Sequence, residues 1–114
     1  MYLLRKLLAA LKLREAIKLA DNAHARNGHR YFVMPADDGK LIVMDRYNFR
    51  RLKLKHYIKS EVKMRDLING SFYFTPTASG NGYLSEDDRE RKVQNYFKWA
   101  ELQRRRAKTR RPRR

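Results

Sequence analysis

Residues 30–58 (RYFVMPADDGKLIVMDRYNFRRLKLKHYI) place two short β-rich runs around Pro35-Ala36-Asp37-Asp38-Gly39, and a strongly basic helical pattern follows at once. Asp-Gly between two such runs predicts a β-hairpin, because glycine takes the positive φ of a tight turn without a side-chain clash. Tyr31, Phe32 and Val33 lead into the turn, and Leu41, Ile42 and Val43 lead out. Both alternating sets are apolar: Tyr31/Val33 and Phe32/Met34 on one run, Leu41/Val43 and Ile42/Met44 on the other. A hairpin without a polar face calls for cover on both sides. Asp45 is then a suitable N-cap for a helix with apolar positions at Phe49, Leu52 and His56. Arg46, Arg50, Arg51, Lys53 and Lys55 fall on its other faces. The hairpin is read as fixing a basic helix in space, and that helix as the folded element that meets a partner.

At 114 residues the chain is long enough for one domain with a modest core plus a tail. It has no cysteine, which excludes structural disulfides and thiolate metal sites. The formal charge of +16 says little about fold but argues for a polyanionic partner, nucleic acid before membrane surface or acidic protein.

The N-terminal apolar run is interrupted by Arg5, Lys6, Lys12 and Arg14, and it lacks a small-residue cleavage site in a polar setting. That pattern fits neither a signal peptide nor a bilayer span. An amphipathic helix to about Asn27 fits better, with Leu13, Ala16/Ile17, Ala20 and Ala23/His24 at helical spacing and Gly28 as a left-handed stop. The first residues, 1–12, are expected to extend this helix as a protruding start, lie on a membrane surface, or dock on a partner. Packing on protein is favoured, and membrane binding is not the expected role.

Beyond Ile58, Ser60 is expected to cap a short helix ending at Asn69-Gly70. Ser71-Phe72-Tyr73-Phe74-Thr75, closed by Pro76, reads as a short third strand beside the hairpin, or else as an aromatic segment across the core. Residues 77–82 form a Gly/Ser/Asn loop. Ser85-Glu86-Asp87-Asp88 opens the last helix with a capping pattern and acids in the first turn. Val93, Tyr96/Phe97 and Ala100 mark its buried stripe, with Trp99 at the margin. From residue 104 onward, eight of eleven residues are basic and none is acidic, so the tail supplies +8 of the total. Block charge of this kind predicts a disordered interaction arm.

An enzyme is not expected. His24, His29 and His56 lie on different elements without metal-ligand spacing, and Gly80-Asn81-Gly82 lacks the lysine and hydroxyl residue of a phosphate loop. Asp37, Asp38 and Asp45 could be drawn as a Mg²⁺ cluster, but turn residues and a helix cap account for them. Glu86, Asp87 and Asp88 likewise form a helix start. No cofactor or metal is implied.

The basic residues point elsewhere. A charged helix face is ordinarily just solvated, yet residues 46–65 hold eight cations against the single acid Glu61. A like-charged surface opposes its own compaction and favours a bound anion. The expected folded contact surface is Arg46, Arg50, Arg51, Lys53, Lys55 and Lys59. The expected arm contacts are Arg104, Arg105, Arg106, Lys108, Arg110, Arg111, Arg113 and Arg114. Such contacts would go mainly to phosphates, giving affinity without sequence reading and a steep salt dependence. Tyr47 and Tyr57 flank the basic positions and could stack on bases, although aromatics there more often serve the core.

The stretch HARNGHRYFVMPADDGKLIVMDRYNFRRLKLKHYI, with SFYFTPTASGNG and the basic C-terminus after it, resembles short basic proteins encoded by phages and prophages of gut Bacteroidetes, including small single-stranded-DNA phages. The resemblance spans about residues 15–105 and carries no catalytic residue. It implies a phage or mobile-element context, in genome handling or virion assembly, within the host cytoplasm or the virion.

The sequence thus predicts a small α+β domain over residues 1–103, in the order α-β-β-α-α-(β)-α, with a basic arm over 104–114. The expected function is non-specific nucleic-acid binding, with single-stranded DNA as the leading target and RNA as a further one. A phage assembly protein contacting other structural proteins is the competing class, and a ribosomal-type RNA-binding protein is the third.

Overall fold

The computed structural model describes residues 2–36 and 39–109. Along the chain run α1 (Tyr2–Asn27), β1 (Phe32–Pro35), β2 (Leu41–Met44), α2 (Arg46–Leu54), α3 (Met64–Gly70), β3 (Tyr73–Phe74) and α4 (Glu86–Thr109). The three strands form one antiparallel sheet in the order β2-β1-β3. Phe32 on the central strand faces Met44 on one side and Phe74 on the other, while Val33 faces Val43 and Tyr73.

That register, with side chains alternating across the sheet, separates two cores. Val33 and Tyr73 point to one face, where they meet Leu13, Ala16 and Ala20 of α1 and Tyr96 of α4. Phe32, Met44 and Phe74 point to the other face and meet Phe49 of α2 and Leu67 of α3. The hairpin therefore has the two-sided cover its apolar pattern requires. Small side chains at Ala16, Ala20 and Ala23 are all buried, which lets the α1 backbone approach the sheet closely.

Local signals end the elements where chemistry demands. The Gly28 amide bonds to the His24 carbonyl at 2.6 Å with φ at +77°, closing α1 in the left-handed conformation. The Asp45 side chain accepts from the Asn48 amide at 2.9 Å, and the Asn48 side chain accepts from the Asp45 amide at 3.1 Å. This reciprocal box starts α2. Ser85 Oγ accepts from the Asp88 amide at 3.1 Å to start α4. Gly39 has φ at +73° and the Ala36 amide bonds to the Lys40 carbonyl, while Asp37 and Asp38 lie outside the described residues.

Four expectations differ from the structure. Ser60 does not cap α3; the helix starts later, at Met64, where Asp66 accepts from the Lys63 amide at 2.7 Å. Residues 59–62 instead form a turn, with the Val62 amide on the Lys59 carbonyl, that carries Val62 to the second core. The basic helix is shorter than its pattern suggests. It stops at Leu54, and His56 is exposed at φ +64°, so it extends no apolar face. Lys55 and Lys59 consequently lie beyond α2, with Lys55 in the cap position. Finally, the arm expected from residue 104 begins as helix: α4 continues to Thr109, extending a run of good helix formers. Arg110, Arg111, Arg113 and Arg114 lie outside the described residues.

Candidate nucleic-acid interface

At 3.6 residues per turn, α2 turns Phe49 and Leu52 toward the second core and leaves Arg46, Arg50 and Arg51 on its outer face. All three arginines are exposed, and among the described residues none forms an ion pair with a carboxylate. Arg46 lies over the Tyr47 ring at 5.2 Å. Lys55 and Lys59 are exposed in the segment that follows. Lys53 behaves differently, because its Nζ donates to the Val62 carbonyl at 2.7 Å and lies 5.2 Å from the Phe49 ring. It braces the connection between α2 and α3, folded back onto the backbone.

Beside the first turn of α2 opens a pocket of about 450 Å³. Its apolar lining comes from Phe32, Met64 and Ile68, and the 77–79 loop forms part of its wall. His29, Arg30, Arg46 and Tyr47 also line it. His29 is held there by its surroundings. Its amide donates to Asn27 Oδ1 at 2.9 Å, and its Nδ1 lies 3.0 Å from Asp45 Oδ2. Because that carboxylate can only accept, Nδ1 carries the proton in this bond. Burial disfavours the charged form of Asp45. The Asn48 amide and His29 outweigh that effect and hold the carboxyl below its usual range. The His29 ring sits 5.1 Å from the Tyr47 ring.

Arg30 closes the far side of the pocket. Its Nε donates to the Thr75 carbonyl at 2.9 Å, a terminal nitrogen donates to the Gly82 carbonyl at 2.6 Å, and the guanidinium lies 4.7 Å from the Phe74 ring. The bond to Gly82 ties the 77–82 loop to the segment that enters β1. Thr77 Oγ1 bonds to the Asn81 carbonyl at 3.1 Å and stands 3.1 Å from Ser79 Oγ, so the loop hydroxyls are engaged within the loop.

A second basic cleft, also about 450 Å³, lies between the start of α1 and the end of α4. Arg5 and Lys6 face Lys98, Arg104 and Arg105 across it, with Glu101 as the acidic member. Arg104 bonds to Glu101 at 2.9 Å and, with Arg5 and Arg105 nearby, holds that carboxyl below its ordinary range. Arg5 and Arg104 each bury an Nε that has no hydrogen-bond partner among the described residues. Arg105 and Arg106 are exposed, and Lys108 belongs to the last turn of α4.

The expected contact residues are therefore divided between two surfaces. Arg46, Arg50 and Arg51 stand with α2 on one face of the sheet, and Arg104 and Arg105 stand with α1 and α4 on the other. Sequence reasoning missed the contribution of Arg5, Lys6 and Lys98 to the second cleft. It also missed the pocket formed by His29, Arg30 and the 77–79 loop around Tyr47; the high β-propensity that placed β3 beside the hairpin was the nearest available signal.

Among the described residues, no group of three or more His, Asp or Glu side chains is disposed to hold a metal ion. No helix there is long and apolar enough to cross a membrane. Comparison with protein-family models, with curated proteins and with solved structures found no match to this chain.

Proposed function

We propose that the protein binds nucleic acid chiefly through phosphates, without sequence preference, and with single-stranded DNA as its leading target. The observation that carries this reading is the outer face of α2, where Arg46, Arg50 and Arg51 are exposed together without a carboxylate partner among the described residues. Rigid guanidinium groups on a folded helix are suited to phosphate oxygens, and neutralising them relieves the repulsion of a +16 chain. The cleft of Arg5, Lys6, Lys98, Arg104 and Arg105 supplies a second cationic surface, continuous in sequence with the basic C-terminus. The resemblance to short basic phage proteins is the ground for placing this activity in phage genome handling.

The test is fluorescence anisotropy of labelled single-stranded DNA, duplex DNA and hairpin RNA, titrated at several salt concentrations. Replacing Arg46, Arg50 and Arg51 together by alanine should weaken binding to every sequence. On single strands it should reduce the slope of log K against log salt by about 2, the value for roughly three lost phosphate contacts. An unchanged slope would remove α2 from the interface. Tightest binding to hairpin RNA would favour the ribosomal-type reading.

A second reading, assembly with other proteins, is favoured by one observation. Leu3, Leu4, Leu7, Leu8 and Leu11 on the first half of α1 are all exposed, from 45% to 80%. An apolar stripe of that kind marks a contact surface more often than a solvated one. Sedimentation that shows self-association abolished by Leu4→Gln/Leu8→Gln, with nucleic-acid binding absent, would place assembly first.

A further inference from the structure

We infer that the pocket beside Tyr47 takes a single unstacked nucleobase, so that base stacking adds to phosphate contact at the start of α2. The inference rests on the nucleic-acid reading and specifies how that site selects a single strand over a duplex. Three features of the pocket agree. Its volume of about 450 Å³ lies within the range of small-molecule sites. Its apolar lining, Met64 and Ile68 with the buried Phe32 behind them, suits the face of a planar ring. Tyr47 remains 49% exposed although His29 packs against it and Arg46 lies over its ring and donates to its hydroxyl at 3.3 Å, so the residue keeps surface that a ligand can reach.

The placement of charge agrees as well. Arg46 lines the same pocket that holds the aromatic surface, and Arg50 follows it by one turn on the outer face of α2. A strand whose phosphates lie along Arg46 and Arg50 would bring a base to the mouth of the pocket. A base paired within a duplex cannot enter without unstacking, which gives preference for a single strand. The loop hydroxyls of Thr77 and Ser79 are engaged within the loop, and Arg30 is committed to the Thr75 and Gly82 carbonyls. With these groups engaged, stacking is the main contribution of the pocket, in keeping with binding that tolerates any sequence.

The test compares two strands with the same number of phosphates: an oligothymidylate of about 15 nucleotides and an abasic strand of equal length. Both are titrated against the full chain by anisotropy. The full chain should bind the oligothymidylate roughly tenfold more tightly, the lower part of the range expected for one stacked base. Tyr47→Ala should abolish the preference, so that this variant binds the oligothymidylate and the abasic strand equally, whatever the loss of the ring does to the phosphate contact of Arg46 that packs on it. Tyr47→Phe should retain the tenfold preference. Ala78→Trp, at an exposed loop position lining the pocket, should fill the space and remove the preference as Tyr47→Ala does. Equal binding of both strands by the full chain would overturn the pocket while leaving the phosphate reading in place. So would a preference that survives both variants, or one that disappears with Tyr57→Ala, since Tyr57 is 77% exposed and outside the pocket. Binding of neither strand would overturn the nucleic-acid reading, and the pocket with it.

Discussion

The Tyr73 hydroxyl donates a 2.6 Å hydrogen bond to Asp21 Oδ1, tying the short strand β3 to the C-terminal part of α1 across 52 residues of sequence. Burial, then the bond to Asp21 and the charge on Asp21, push the Tyr73 hydroxyl up to about 12. A raised folded-state value means that the bond stabilises the fold fully below the ordinary tyrosine value of 10.0 and loses that contribution as pH rises toward 12. Tyr73→Phe is expected to cost about 1 kcal/mol at neutral pH and to flatten the stability profile between those two values. Denaturation midpoints across that range, beside an ultraviolet titration of the tyrosines, check both parts.

Asp45 does two things at once, capping α2 through Oδ1 and bonding to His29 Nδ1 through Oδ2. Asp45→Ala removes both and should destabilise the protein by about 2 kcal/mol, whereas Asp45→Asn keeps a good cap and should cost less. The carboxyl is held below its unfolded value of 3.8, so its contribution is complete above that pH and is lost as acid titrates the folded carboxyl. Acid unfolding of wild type should therefore gain steepness below about pH 4 relative to Asp45→Ala.

Lys92 closes the end of α3 from a different helix. Its Nζ donates to the Ile68 carbonyl at 2.6 Å and to the Ser71 carbonyl at 2.7 Å, and it lies 5.4 Å from the Phe74 ring. A cation at a helix C-terminus also opposes the negative end of the helix dipole. Lys92→Met keeps the stem's packing but leaves both carbonyls without this donor. It should cost about 2 kcal/mol, read as a lower urea midpoint at unchanged slope.

Arg30 and Gly82 work as a pair. The Gly82 carbonyl accepts from the Arg30 guanidinium, and a side chain at Gly82 would meet that group while having to adopt φ +76°. Arg30→Ala should cost about 2 kcal/mol through lost charged hydrogen bonds and the lost contact with Phe74. Gly82→Ala should loosen the 77–82 loop more than it lowers global stability. Hydrogen exchange would show this as faster exchange of the Gly80 amide, which bonds to the Thr77 carbonyl at 2.9 Å.

Much of the architecture was legible because it rests on neighbours a few residues apart. The two-sided apolar alternation of 31–34 and 41–44 required helices on both faces of the sheet, and the structure places α1 with α4 on one and α2 with α3 on the other. Asp45, Ser85 and Gly28 act within three or four residues of themselves, so their roles followed from local chemistry. Where a local signal failed, a longer contact had overruled it. Ser60 lost the start of α3 because the turn before it delivers Val62 to the core, and α2 stopped at Leu54 although basic and apolar residues continue past it.

The candidate site divided along the same line. Exposed arginines on α2 could be read from helical spacing around Phe49, since one buried position orients the rest of a short helix. Which of its cations remain available was decided by how the chain folds back beyond the helix, since Lys53 is engaged by the Val62 carbonyl nine residues on. The pocket unites His29, Tyr47, Met64 and the 77–79 loop from four separate segments, and the second cleft unites the two ends of the chain. By itself, the sequence determined the charge, the starts of α2 and α4, the end of α1 and the order of elements, because these depend on composition and on bonds within a turn. Only the tertiary structure decided which basic groups share a surface and where an aromatic wall meets them, because those positions follow from packing distant segments against a common sheet.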